Sequence, residues 1–214
     1  MKKSSSESRY VAKRYYASIG SGEGVRKLDE RKRKILSLVP ANVTRVLDVG
    51  CGNGLTLDNI NAKEKYGIDI NPKNVIICRR KGIHAIEQSA EEKFPFKNNY
   101  FDVIISEELI EHLFFPENFL KEIKRVLKPN GAFVGSMPNH FNWWHRLCFL
   151  FARPEKSPLF RNAAHISDNF WTLNQLRRML SKHFKVEICM GIVGRLARVR
   201  PPPPCLLVVL YGNA

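Results

Sequence analysis

No stretch of this 214-residue sequence holds the ~18–20 uncharged apolar residues that a membrane-spanning helix needs. The best candidate, Cys205 to Tyr211, is only strand length. Cysteine is sparse and scattered, five residues at positions 51, 78, 148, 189 and 205 without a C-x-x-C pair. That fits reduced, mostly buried thiols better than a disulfide framework or a zinc knuckle. The basic start is followed by no apolar run of signal-peptide length, so the expectation is a cytoplasmic protein, at most peripheral to a membrane. Internal repeats are absent, and the one low-complexity stretch is Pro201–Pro204, a stiff extended lead-in to the last strand. Acidic residues are scarce, 20 Asp/Glu against 35 Lys/Arg, for a net charge of +15.

What is present is a globular balance, 44% hydrophobic and 26% charged, which excludes general disorder and a collagen-like fibre. The length suits one large domain that can bury a core without staples. The excess charge sits at the two ends. Residues 1–36 hold 11 Lys/Arg and 4 Asp/Glu, residues 141–214 hold 11 and 3, and the middle holds 13 of each. Such asymmetry bears on partners rather than on fold. Anionic lipid headgroups, RNA phosphates or a phosphorylated substrate would each use it. Aromatic residues beside Arg146 and Arg153 suit an interfacial helix, whereas Tyr10, Tyr15 and Tyr16 among basic residues suit RNA. The lipid or anionic small-molecule reading is preferred because no RNA-binding module is recognisable.

Along the chain, Val25, Leu28, Ile35, Leu36 and Val39 predict an N-terminal helix stopped by Pro40. Short apolar runs then alternate with helical patterns. Strands are predicted at Arg45–Val49, Lys65–Ile70, Ile83–Glu87, Phe101–Ser106 and Ala132–Met137, with helices from Leu55, over Pro72–Arg80 and over Pro116–Leu127. This alternation predicts right-handed crossovers and a mostly parallel sheet with helices on both faces. A helix from Thr172 or Leu173 and strands near Phe184–Ile192 and Cys205–Tyr211 would bring the sheet to seven strands. The expectation is one Rossmann-like α/β domain over 1–214. It would comprise a basic helical segment (1–36), a cofactor-binding core (37–140), a substrate-covering insertion after the fifth strand (141–170), and closing elements (171–214).

The first strand ends in V-L-D-V-G-C-G-N-G, with Gly50, Gly52 and Gly54 at alternate positions after Asp48. Glycines there let the chain turn sharply and a ligand approach the main chain, with the N–H groups of the next helix aimed at it. The third glycine comes one residue too early for a dinucleotide fingerprint, and no G-K-[ST] follows, which excludes a triphosphate P-loop. Asp69, at the end of the second strand, is placed to accept from both hydroxyls of a ribose.

These pieces, with G-I-D-I-N at Gly67–Asn71, F-P-F-K-N-N-Y-F-D-V-I at Phe94–Ile104, R-V-L-K-P-N-G-A-F at Arg125–Phe133 and H-I-S-D-N-F-W from His165, resemble class I S-adenosylmethionine-dependent methyltransferases. The resemblance implies that Gly50 and Gly52 border the methionine part of the cofactor, that Asp69 holds its ribose and that Ile70 packs on its adenine. An acidic residue near the adenine would come from the Ser89–Glu92 neighbourhood, with Glu91 the candidate. Asp48, Gly54 and Ser106, the last at the carboxyl end of the fourth strand, complete the expected cofactor set.

The fourth strand runs into S-E-E-L-I-E-H-L. A helix beginning there would put Glu108, Glu111 and His112 on one face, at i, i+3 and i+4. E-x-x-E-H at this position resembles the ubiquinone-biosynthesis O-methyltransferases, which implies a divalent metal at these three residues. The plainer reading, carboxylates favouring the helix dipole and a histidine packed under a lid, is preferred. His112 and His165 are the candidate bases for taking a proton from a hydroxyl acceptor, with Glu111 beside His112. The expected activity is methyl transfer to an oxygen of a small or lipid-like molecule. The alternatives are an RNA methyltransferase and, in another class, a cofactor-bound assembly or regulatory protein.

Overall fold

The computed structural model describes residues 27–138, 150–151, 171–192 and 205–211, and from 188 onward the backbone alone. The 141–170 insertion apart from residues 150–151, His165, Pro201–Pro204 and most of the basic N-terminal segment lie outside the described residues.

In chain order the elements are α1 (Glu30–Leu36), β1 (Val43–Val49), α2 (Leu55–Asp58), β2 (Ala62–Asp69), α3 (Pro72–Arg80) and β3 (His84–Glu87). They continue with β4 (Phe101–Glu107), a 3₁₀ turn (Ile110–His112), α4 (Pro116–Val126), β5 (Leu127–Pro138), α5 (Leu173–Ser181), β6 (Lys185–Ile192) and β7 (Cys205–Tyr211). The sheet order is β3-β2-β1-β4-β5-β7-β6. The first five are mutually parallel, and β7 runs antiparallel to both β5 and β6.

Strands β1 and β4 are apolar on both faces because both faces are covered. Val46, Val103 and Ile105 pack with Ile35 of α1, Leu57 of α2 and Val75 and Cys78 of α3. Leu47, Val49 and Ile104 pack on the other side with Phe119, Leu120 and Ile123 of α4 and Leu176 and Leu180 of α5. Helix ends follow their local chemistry. Asn71 caps α3, its side chain accepting from Lys73 N, with Pro72 in the first turn. Thr172 and Gln175 form a reciprocal capping box at α5. The start of α4 is tied to the end of α5 by Glu117, whose carboxylate meets His183 Nε2 at 2.7 Å and Lys182 Nζ at 3.1 Å.

Three expectations change. Helix α1 begins at Glu30 rather than near Val25, because the Asp29 carboxylate accepts from Lys32 N at 2.7 Å and sets the N-terminus there. Strand β5 starts directly after α4, since Leu127 already pairs with Phe101, and the ladder shifts before resuming at Val103 and Ala132. No α-helix begins directly at the end of β4. Glu108 has φ +46°, a left-handed backbone that interrupts any right-handed helix, and only the short 3₁₀ turn follows. Glu108, Glu111 and His112 therefore do not share one helical face.

Candidate active site

The glycine turn is made by left-handed residues, Gly50 at φ +79°, Gly52 at +53° and Gly54 at +75°. It is pinned to the neighbouring strand, since Gly50 N and Cys51 N both donate to Ile68 O, at 2.8 and 3.1 Å. The three glycines serve different ends. A methyl group on Gly54 would lie 2.8 Å from Ile83 Cδ1 and 3.0 Å from Cys78 Sγ, so that glycine packs the core. On Gly50 it would touch Leu109, and on Gly52 it would meet none of the described residues within 4 Å. Among the described residues Gly52 thus presents bare main chain, the feature a close-lying cofactor requires.

Asp69 closes the turn from β2. Its Oδ2 accepts from Gly52 N at 2.8 Å, and its Oδ1 accepts from Asn71 N at 2.8 Å and Asn74 Nδ2 at 3.3 Å. Burial pushes this carboxyl up, and the three hydrogen bonds oppose the rise. A carboxylate offers about four lone-pair sites, so Asp69 organises the turn and retains limited capacity for a ribose hydroxyl. Ile70 follows it, half-buried at the strand end.

Asp48 lies on the α1 side of the sheet, and burial followed by the nearby Glu107 charge raises its carboxyl well above the ordinary range. Lys32 of α1 opposes that rise. Its Nζ bonds both Glu107 oxygens at 2.9 Å and Thr56 Oγ1 at 3.1 Å. The Thr56 hydroxyl also donates to Glu107. Arg31 pairs with Glu108 and stands 3.6 Å from Glu107. Sequence reasoning missed Lys32, Arg31, Thr56 and Glu107. The available signal was strand parity, which puts Asp48 and Glu107 on one face at the ends of adjacent strands and so calls for a countercharge.

The remaining expected residues are dispersed. Ser106 is buried on the opposite face from Asp48, at a cavity of about 20 Å³ shared with Ile110, Phe119, Phe133 and Leu180. Glu91 turns its carboxylate to Phe115 N, at 2.5 Å, and so holds the start of α4. Glu111 is fully buried, and its carboxyl is pushed up to about 8, by burial first and the Glu108 charge second. His112 Nε2 stands 4.0 Å from Glu111 Oε1. Among the described residues no three His, Cys, Asp or Glu side chains converge to hold a metal ion. The Glu108, Glu111, His112 set is not assembled, because the left-handed Glu108 directs its carboxylate to Arg31.

Residues 47–135, from β1 into β5, match the Methyltransferase domain family. They are a class I S-adenosylmethionine-dependent methyltransferase domain. A human relative, the mitochondrial arginine-hydroxylase NDUFAF5, is 31% identical over 150 residues, covering 67% of this chain and 42% of that protein. A ubiquinone biosynthesis O-methyltransferase from Bradyrhizobium diazoefficiens is 32% identical over 121 residues, covering 52% of this chain and 46% of its own. The chain thus spans a little under half the length of these relatives. The methyltransferase domain also shares its fold with the N-methyltransferase NodS of Bradyrhizobium japonicum, solved with S-adenosyl-L-homocysteine. The TM-score is 0.67, at 14% identity, over 97% of this chain and all of that one.

Proposed function

We propose that the chain is an enzyme that uses S-adenosylmethionine to methylate an oxygen of a small or lipid-like acceptor. The observation that carries this reading is the turn at Gly50–Gly54, open at Gly52 and clasped by Asp69. The O-methyltransferase relative supports oxygen as the accepting atom.

In this reading Gly50, Gly52 and Asp69 hold the cofactor, which supplies a methyl group already activated on a sulfonium. The protein's own work is then alignment, exclusion of water and removal of the acceptor's proton. His112 is the base among the described residues, since an imidazole titrates near neutrality. Burial pushes the carboxyl of Glu111, beside His112, up to about 8, which favours its neutral form near pH 7. His165 is the second candidate base.

A second reading comes from the human relative, whose name assigns it hydroxylation of arginine. Incubation with methyl-labelled donor and a panel of quinols, phenols, sugars, lipids, RNA and arginine peptides separates the two. Label is expected in a phenol, quinol or lipid hydroxyl. Label in RNA alone, or modification of arginine without label, would overturn the oxygen-acceptor reading.

A further inference from the structure

Asp48 and Glu107 stand on one face of the sheet, at the carboxyl ends of β1 and β4. Asp48 is level with Ile105, two residues before Glu107. Asp48 is 2% exposed and the Glu107 side chain 7%. Two carboxylates so placed oppose each other's ionisation, and burial compounds the effect. Asp48 Oδ1 is buried without a hydrogen-bond partner among the described residues. Cys78 of α3 and Asp69 of β2 are near enough to add to the pressure against its ionisation.

Lys32 opposes that pressure. Its side chain is 17% exposed, and its ammonium lies 2.9 Å from each Glu107 oxygen and 3.1 Å from Thr56 Oγ1. Thr56 is the second residue of α2, the helix that leaves the glycine turn. One ammonium therefore joins α1, α2 and the end of β4. Arg31 does not duplicate this arrangement, since its closest partner is Glu108.

We propose that Lys32 is a positioning residue for the cofactor turn, fastening α2 to the end of β4 and supplying the charge that lets Asp48 and Glu107 coexist beneath the turn. Only the identity of the ligand rests on the methyltransferase reading. The charge effect is tested without cofactor by carboxyl-carbon NMR of the full chain, with the Asp48 signal assigned from Asp48→Asn. Lys32→Met should raise the Asp48 titration midpoint by at least one pH unit, and Lys32→Arg should restore it. Asp29→Ala, which removes the α1 cap but keeps the ammonium, should leave the midpoint in place. Calorimetry with S-adenosyl-L-homocysteine at pH 7 should show at least tenfold weaker binding to Lys32→Met. An unmoved Asp48 midpoint in Lys32→Met, an equal movement in Asp29→Ala, or unchanged affinity for the probe would each overturn the proposal. Failure of the wild type to bind the probe would instead sink the methyltransferase reading, and the ligand-free titration would still decide the role of the Lys32 charge.

Discussion

Gly52 and Gly54 share a left-handed backbone and respond differently to an added methyl group. At Gly54 the methyl would press on Ile83 and Cys78, and at Gly52 it would meet none of the described residues within 4 Å. Substitution at the two positions is expected to separate folding from binding within one turn. Gly54→Ala carries both backbone strain and overpacking and is expected to lose about 2–4 kcal/mol in urea unfolding. Gly52→Ala carries only the backbone cost of about 1–2 kcal/mol. It should nevertheless lose at least tenfold in affinity for S-adenosyl-L-homocysteine, because the methyl fills the space the ligand needs. Equal stability losses, with unaltered affinity in Gly52→Ala, would mean that the open side of the turn is not the cofactor side.

At the scale of elements, two stretches that resemble the methyltransferases turn out to hold each other. Arg125 of α4 donates to Phe96 O at 2.8 Å and Phe94 O at 2.9 Å, while Glu122 accepts from Phe94 N at 2.7 Å and pairs with Arg125 at 2.6 Å. This clasp fixes the loop that leads into β4. Arg125→Met should cost about 2 kcal/mol in chemical denaturation, the scale of charged hydrogen bonds left unmade, with the cofactor affinity of the folded protein retained. A larger loss of affinity than of stability would place Arg125 in the site. The same scale explains what was legible beforehand. The order of strands and helices, the turn at Gly50–Gly54 and Asp69 could be read because backbone demands and apolar periodicity dictate them locally. The grouping of Glu108, Glu111 and His112 could not. It depended on a helical backbone at Glu108, and the contact with Arg31, 77 positions earlier in the chain, accompanies a left-handed one. Lys32 was hidden for a related reason, since in the sequence it is one cation in a basic run.

At the scale of the whole molecule, that basic run is not all outward-facing charge. Arg31 and Lys32 are turned inward onto Glu107 and Glu108, so two of the cations that would have contributed to a field at the N-terminal end serve the site instead. The parallel half of the sheet brings Asp48, the glycine turn, Asp69 and Glu107 to one edge because each lies at or just beyond the carboxyl end of its strand, the place where open α/β sheets bind ligands. The two core clusters on either side of the sheet hold that edge. We propose this edge as a cofactor site built on Asp69. Titration calorimetry of S-adenosyl-L-homocysteine into wild type and Asp69→Ala tests it most directly. The wild type should bind one molecule per chain, and the variant, still folded by its unfolding transition, at least tenfold more weakly. Equal affinity in the two proteins, or no binding to the wild type, would contradict the claim.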